Sequence, residues 1–296
     1  MSHPPPPPYM SAASAPDPGS IPLRPLTVGE LIGLGFAVVR RHLGLLGPIA
    51  VLIAAVSAGA EITILSATGT LDSVATGDWI NTFSKDVTAG RVDALPVGIY
   101  AAVGVSSLVS IAGALVLSGL ATACASVDAV RRRPSRGAVA ERLRGRIGVL
   151  VVVSVVVAVV SLAGSLIFLV PGLIAYTAWA GAAPATVMER AGVGRALSRS
   201  TRMTQGHRWR ILGVTVLIVI IAAVIEQLIT TAVGAAIPKA SAVAALIVMS
   251  AVGAVIAAVT SSWVGAVIGL LYVDIRLRTE NLGAALRAYA ATLPRG

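Results

Sequence analysis

The stretch IGVLVVVSVVVAVVSLAGSLIFLV, residues 147–170, runs for 24 residues without a charged side chain. Its valine runs would suit a buried strand, but strands in soluble proteins end after about 4–8 residues. A helix needs about 20 apolar residues to cross the roughly 30 Å hydrocarbon layer of a membrane. The length of this stretch therefore predicts a transmembrane helix.

The rest of the chain has the same character. Residues 97–127 and 242–273 are also uncharged, and the 296-residue chain is 56 % hydrophobic and 12 % charged, whereas soluble domains carry about 25 % charged residues. Lipid must cover the excess apolar surface. The sequence predicts an all-α polytopic membrane bundle with cytoplasmic amphipathic helices and six transmembrane helices, at 43–65, 98–124, 147–169, 172–188, 211–235 and 243–271.

The third and fourth predicted spans are separated by Pro171-Gly172. This pair predicts a very tight turn, because proline removes a backbone donor and glycine permits positive φ. The fourth span is short, with 17 residues that include Pro184. It is therefore expected to be kinked or partly sunk among its neighbours.

Basic residues predict the orientation. With the amino terminus inside, 20 arginines lie on the inner side, against Lys85, Arg91 and Lys239 outside. Such a bias in short loops indicates positive charge on the cytoplasmic side. We expect a multi-pass protein of the cell membrane with both termini in the cytoplasm. Residues 66–96 would then form the one sizeable outer loop.

Three regions are expected along the chain. Residues 1–26 hold nine of the 16 prolines, which favours a disordered cytoplasmic tail, with a docking site for a proline-reading protein as the alternative. Residues 27–275 form the membrane domain, and the S/T-x-x-E pattern at Thr27-Val28-Gly29-Glu30 predicts the start of its first helix. Residues 276–296 form a cytoplasmic amphipathic helix, with Leu282, Leu286, Tyr289 and Leu293 on one face.

A pattern recurs at 26–47, 135–151 and 192–213. Each segment runs a glycine-containing, arginine-bearing amphipathic stretch directly into a predicted span. We therefore expect three units, each an inner amphipathic helix followed by a transmembrane hairpin. Chance resemblance among short, Gly/Ala-rich segments is the competing explanation.

The segments IPLRPLTVGE (21–30), Pro171-Gly172, APATVMERAGVGRALSRSTRMTQGHRWRILG (183–213) and YVDIRLRTENL (272–282) resemble the integral membrane domain attached to some bacterial glycerophosphoryl diester phosphodiesterases. This domain also occurs alone in actinobacterial proteins with a proline-rich amino terminus. The resemblance covers roughly residues 21–290, and its most specific part is 183–213. It implies a six-helix membrane protein without established catalytic residues.

Several chemistries find no support in the residues. The three histidines, His3, His42 and His207, lie far apart in the sequence, and no group of His, Cys or carboxylate residues has metal-ligand spacing. No nucleophile–base or phosphate-binding motif is evident. The net charge of +10 is confined to segments that flank apolar runs, so topology explains it better than nucleic acid. We expect a protein that is not an enzyme and has no cofactor.

Glu226 is the sharpest candidate site residue, because it interrupts the apolar run 211–225. A carboxylate within a membrane costs several kcal/mol unless it is paired, hydrated or protonated. It could form a polar cavity or a proton-linked site, with Gln227 and Thr230 as helpers. Alternatively, it could be protonated and make an interhelical hydrogen bond, or simply lie close to the outer headgroups. Glu61 could share that cavity, although an interfacial position is favoured for it.

Other polar and small residues have structural explanations. Asp128, Glu189 and Asp274 lie at the inner ends of predicted spans, close in sequence to arginines, and are expected to pair with guanidinium groups. Gly265 and Gly269 form a small-xxx-small motif, for which packing within the chain is favoured over dimerisation.

Two functions remain open. The leading hypothesis is a non-enzymatic protein that organises lipids or partner proteins, because its inner arginines would attract anionic lipid. The alternative is a small transporter or channel for a lipid-like or small solute, with Glu226 lining the path. The expected headgroup contacts are Arg131, Arg132, Arg133, Arg142, Arg195, Arg199, Arg202, Arg208 and Arg210.

Overall fold

A computed structural model describes residues 21–22, 24–89, 96–129, 136–236 and 242–280. All regular secondary structure within these ranges is helical. The predicted tail lies outside the described residues except for its last few positions, and so does the predicted amphipathic face at 282–293. The inner arginines Arg131, Arg132 and Arg133 also lie outside them.

The described residues form helices α1 to α12. Their bounds are α1 Val28–Arg41, α2 Leu43–Ala67, α3 Leu71–Thr76, α4 Asp78–Thr88, α5 Val97–Asp128, α6 Arg136–Leu143, α7 Ile147–Ile167, α8 Leu169–Trp179, α9 Ala182–Met188, α10 Val193–Thr204, α11 Arg208–Ala236 and α12 Ala242–Thr279.

Helix α1 begins with the predicted capping box. The backbone N–H of Glu30 donates to the Thr27 hydroxyl at 3.3 Å, and the Glu30 carboxylate accepts from the backbone N–H of Thr27 at 2.8 Å. Hydrogen bonds from Arg24 and from Thr27 lower the pKa of Glu30 to about 2. The start of α1 is therefore fixed by local polar groups.

Within the described ranges, five helices are long and apolar enough to cross a membrane: α2, α5, α7, α11 and α12. The chain is thus a multi-pass helical membrane protein. The predicted fourth span, 172–188, is not a single helix, because the chain turns at Ala180 and Gly181 and divides it into α8 and α9. Neither of these two helices reaches the length of a span.

The turn predicted at Pro171-Gly172 lies elsewhere. The chain reverses at Phe168, which has extended backbone angles, and both Pro171 and Gly172 fall in the first turns of α8. Glycine is still needed, because a Cβ atom at Gly172 would lie 2.7 Å from the carbonyl oxygen of Ser161 on α7. The two residues thus allow close approach of α7 and α8 rather than form the turn.

After the reversal, the chain returns along α7. A Cβ atom at Gly119 of α5 would contact both the Leu150 side chain and the carbonyl oxygen of Ala183. Ala183 belongs to α9, and Leu150 lies near the start of α7. Together α8 and α9 therefore run back to the level at which α7 begins.

Helices α5 and α12 form the centre of the bundle and pack closely against α2. Gly265 and Gly269 face α5, where added Cβ atoms would lie 2.9 Å from the Ser118 nitrogen and the Ser118 carbonyl oxygen, respectively. The predicted packing within the chain is confirmed for this motif. On the other side of α5, Gly113 contacts Ile53 of α2.

The helix order repeats three times along the described residues. In the first unit, the short helix α1 precedes the long apolar helix α2, and the chain returns through α5. In the second unit, α6 precedes α7, and the chain returns through α8 and α9. In the third unit, α10 precedes α11, and the chain returns through α12. The predicted three-unit order is thus present in the fold. Its second unit differs from the others by the broken return helix.

Candidate functional site

A cavity of about 760 Å³ lies within the bundle, between α2, α5, α8, α11 and α12. It arises because α11 packs against α12 and α8 but makes few contacts with α2. Ligand sites in proteins commonly measure about 300–1,000 Å³. The space is therefore large enough for a small molecule or an acyl chain.

Glu61 and Glu226 both line this cavity. Glu61 lies six residues before the end of α2, and Glu226 lies ten residues before the end of α11. At about 1.5 Å per residue, they are roughly 9 Å and 15 Å from those helix ends. The two carboxylates that interrupt apolar runs in the sequence thus face one internal space.

Most of the remaining wall is apolar, with hydroxyl groups at intervals. The hydroxyl-bearing side chains of the wall are Ser57, Ser106, Ser110, Tyr176, Thr215, Ser250, Thr260 and Ser261. Ser57 on α2 donates to the backbone carbonyl oxygen of Ser106 on α5 at 3.3 Å. Among the described residues of the wall, no lysine, arginine or histidine is present.

The α11 face of the cavity is largely apolar. Val216, Val219 and Ile220 line it within the part of α11 that is long and apolar enough to span a membrane. Their exposed surface, 55 % for Ile220, includes the surface that borders the cavity. An apolar chain would therefore meet apolar side chains along this wall.

Thr215 lies toward the end of the cavity wall at which α11 begins, seven residues after its first residue. The residue is 7 % exposed, and its hydroxyl has no hydrogen-bond partner among the described residues. The oxygen atom itself is fully buried. Thr215 therefore contributes its apolar atoms rather than its hydroxyl to the surface of the cavity.

Gln227 and Thr230, predicted as helpers of Glu226, are not part of the cavity wall. The Gln227 amide donates to the Thr231 hydroxyl at 3.1 Å, and the Thr230 hydroxyl donates to the Glu226 carbonyl oxygen at 2.8 Å. Both side chains therefore make contacts within α11. Of the predicted polar site, the fold brings together Glu61 and Glu226 only.

Carboxylates hold together the end of the bundle at which α11 begins and α12 ends. Asp274 of α12 is fully buried, and its oxygens accept hydrogen bonds from Arg210, Arg278 and the Leu26 backbone N–H at 2.7–3.1 Å. Both guanidinium groups also donate to the Leu26 carbonyl oxygen at 2.9 Å. This network, here called the Asp274 clamp, joins the first turn of α11 to α12 and to the segment before α1.

Asp128 and Glu189 make corresponding contacts in the other two units. His42 Nε2 lies 3.0 Å from the buried Asp128 carboxylate, and Arg41 Nη1 lies 3.6 Å from it. Glu189 accepts from Arg199 Nε at 3.0 Å and from the Tyr272 hydroxyl at 2.7 Å. The predicted pairing of all three inner carboxylates with guanidinium groups is confirmed.

Arg199 also contacts Glu280, which in turn accepts from Arg276 at 2.8 Å. Burial alone would lower the pKa of Arg199 and raise the pKa of Glu280, because it disfavours the charged forms. The hydrogen bonds between the charged side chains outweigh burial. As a result, the pKa of Arg199 is raised and the pKa of Glu280 is lowered. Both groups therefore remain charged at neutral pH and tie α10 to the end of α12.

These contacts bear on the arginines expected to meet lipid headgroups. Arg199 and Arg210 bind carboxylates within the protein, whereas Arg195 and Arg202 are exposed on α10. Arg142 and Arg208 are half-buried. Headgroup contact by any of them stays a prediction.

Sequence reasoning missed His42 and the hydroxyl side chains of the cavity. One signal was available: Thr215, Val219, Ala222 and Glu226 follow helical spacing and form one face of α11 that lines the cavity. The sequence alone does not show that this face of α11 borders a cavity. Within the described ranges, no three His, Cys, Asp or Glu residues are grouped as a metal site would require.

No known protein family, curated protein or solved structure matches this chain. The resemblance to the membrane domain of glycerophosphoryl diester phosphodiesterases therefore stays a prediction.

Proposed function

We propose that this protein is a non-enzymatic membrane carrier for a lipid-like solute, which it holds in the cavity beside α11. The observation that supports this most strongly is the cavity itself, about 760 Å³ in volume and lined by both Glu61 and Glu226. Of the two functions that the sequence left open, transport requires such a space. Surface organisation of lipids does not.

The shape of the cavity favours an elongated, amphipathic solute. Thr215 and Glu226 lie eleven residues apart on α11, which corresponds to roughly 16 Å along a helix. The wall between them is mainly apolar. An acyl chain can lie along such a wall without losing its apolar surroundings.

The carrier has six crossings and cytoplasmic termini in this proposal. Helices α8 and α9 span 169–188, and 20 residues of helix would cover about 30 Å. The contact of Ala183 with the region of Leu150 supports a full return across the bilayer. The return also leaves the six arginines of 190–210 on the inner side, as positive-inside bias favours.

The surface function remains a second candidate for α10. Its exposed Arg195 and Arg202 lie on a different face from buried Ala196 and Met203. A helix with one basic face and one buried face suits the surface of an anionic membrane. This location would complement the carrier function, since α10 leads directly into α11.

Filling the cavity should stop transport. Gly253 lines the cavity, and a Cβ atom there would meet nothing within 4 Å. Gly253→Leu should therefore fit without a clash and occupy space needed by the solute. In vesicles, with a fluorescent long-chain amphiphile that has an uncharged head, we expect the protein-dependent rate of transbilayer movement to fall at least about tenfold, equivalent to about 1.4 kcal/mol.

Gly59→Leu is the matched control. Gly59 lies in α2, outside the cavity wall, and it also has no atom within 4 Å of an added Cβ. Both changes raise helix propensity equally, so only one of them blocks the space. Equal transport by the two variants, or a wild-type rate no higher than that of protein-free vesicles, would exclude the proposed function.

A further inference from the structure

The charges on the cavity wall have one sign. Glu61 on α2 and Glu226 on α11 line the same space, and the described wall contains no basic side chain. Both carboxylates lie in the outer part of the cavity, nearer the ends of their helices. A cationic head group placed there would pair with the carboxylates and offset the cost of their ionisation, whereas an anionic head group would find no partner of opposite charge.

The opposite end of the cavity carries no charge. Leu212 and Thr215 line it near the start of α11, and the Thr215 hydroxyl oxygen is buried away from the cavity space. This end therefore suits the apolar chain of an amphiphile whose head group lies at the carboxylates.

Resting on the carrier function proposed above, we infer that the solute is an amphiphile with a cationic, amine-type head group. Its head lies between Glu61 and Glu226, and its chain extends along α11 toward Thr215. The chain lies against Val216, Val219 and Ile220, which line the cavity. The two carboxylates then select the head group that can stay.

This selectivity can be measured with two fluorescent alkyl probes of equal chain length, one bearing a trimethylammonium head and the other a sulfonate head. The full-length protein is placed in nanodiscs of electrically neutral lipid, and binding is taken as the excess over protein-free nanodiscs. We expect the ammonium probe to bind at least about tenfold more tightly than the sulfonate probe.

Glu61→Gln combined with Glu226→Gln should reduce this preference to less than about twofold, because it removes both charges and keeps the side-chain shapes. Glu141→Gln removes an exposed carboxylate of α6 outside the cavity, and should leave the preference unchanged. If the double variant binds probes with a longer alkyl chain more tightly than probes with a shorter one, its cavity is still formed.

The outcomes separate the two proposals. Equal, saturable binding of both probes to the wild type would overturn the cationic selectivity and leave the carrier function standing. Binding of neither probe above protein-free nanodiscs would overturn both. A preference that survives in the Glu61→Gln, Glu226→Gln variant would also overturn the inference, because the carboxylates would not be its source.

Discussion

Asp274→Ala is expected to destabilise the protein by about 3 kcal/mol, since removal of one partner from a buried ionic network leaves the others without compensation. The variant would remove the acceptor of Arg210, Arg278 and the Leu26 N–H. We expect a loss of stability at the lower end of the range usual for such removals, because the guanidinium groups of Arg210 and Arg278 are 27 % and 33 % exposed and can be partly hydrated. Equilibrium unfolding in mixed micelles provides the measurement.

Glu141→Ala is the control for this loss of charge. Glu141 is exposed on α6, and surface substitutions usually change the free energy of unfolding by less than about 0.5 kcal/mol. If Asp274→Ala had the same free energy of unfolding as Glu141→Ala, the Asp274 clamp would have no role in holding α11, α12 and the segment before α1 together.

Cysteine labelling should give an all-or-none result for the sixth crossing. In a Cys124→Ser background, we expect an impermeant maleimide to label Ser84→Cys in intact cells and to label Gln205→Cys only after the membrane is opened. Both positions are exposed, in α4 and after α10 respectively. The difference follows from the proposed topology, which places residue 84 outside and residue 205 in the cytoplasm.

Position 205 distinguishes six crossings from five. If α8 and α9 did not cross the membrane, the segment between α10 and α11 would lie outside, and Gln205→Cys would react as readily as Ser84→Cys. Labelling of residue 205 in intact cells would therefore contradict the proposed return of α8 and α9. Residue 84 reacts under both topologies and confirms that the reagent reached the protein.

The lengths of the apolar segments and the charged residues at their ends were predictable, because a charged side chain in lipid is energetically costly. Five of the predicted spans correspond to long apolar helices, and Asp128, Glu189 and Asp274 pair with basic groups as their positions required. The capping box at Thr27 was readable for a similar reason, since its donors and acceptors are close in sequence.

The broken fourth span was harder to predict because its cause lies in tertiary packing. Gly181, where the helix breaks, lies against Tyr272 of α12, with 3.0 Å from an added Cβ to the ring. The reversal at Phe168 involves neither a glycine nor a proline at the turning residue. Pro171 and Gly172 marked the right region but a different contact.

The cavity could not be predicted from the sequence because it depends on how α11 is placed relative to α2. Glu226 was conspicuous as a charge in an apolar run, whereas Thr215 and the serines resemble ordinary polar residues of membrane helices. Only the rotation of each helix brings Glu61 and Glu226 to the same space. Gln227, adjacent in sequence, faces elsewhere.

The most direct test of the carrier account is photolabelling of the protein in nanodiscs with a long-chain amphiphile that carries a photoreactive group on its chain. The account predicts that labels, mapped by mass spectrometry, concentrate on cavity residues such as Thr215, Val219 and Ala257, and that Gly253→Leu abolishes them. Val151 and Val155 of α7 are exposed but lie outside the cavity wall, and should keep their background labelling. Labels that follow lipid exposure alone, equally on α7 and α11 and unchanged in Gly253→Leu, would contradict the account.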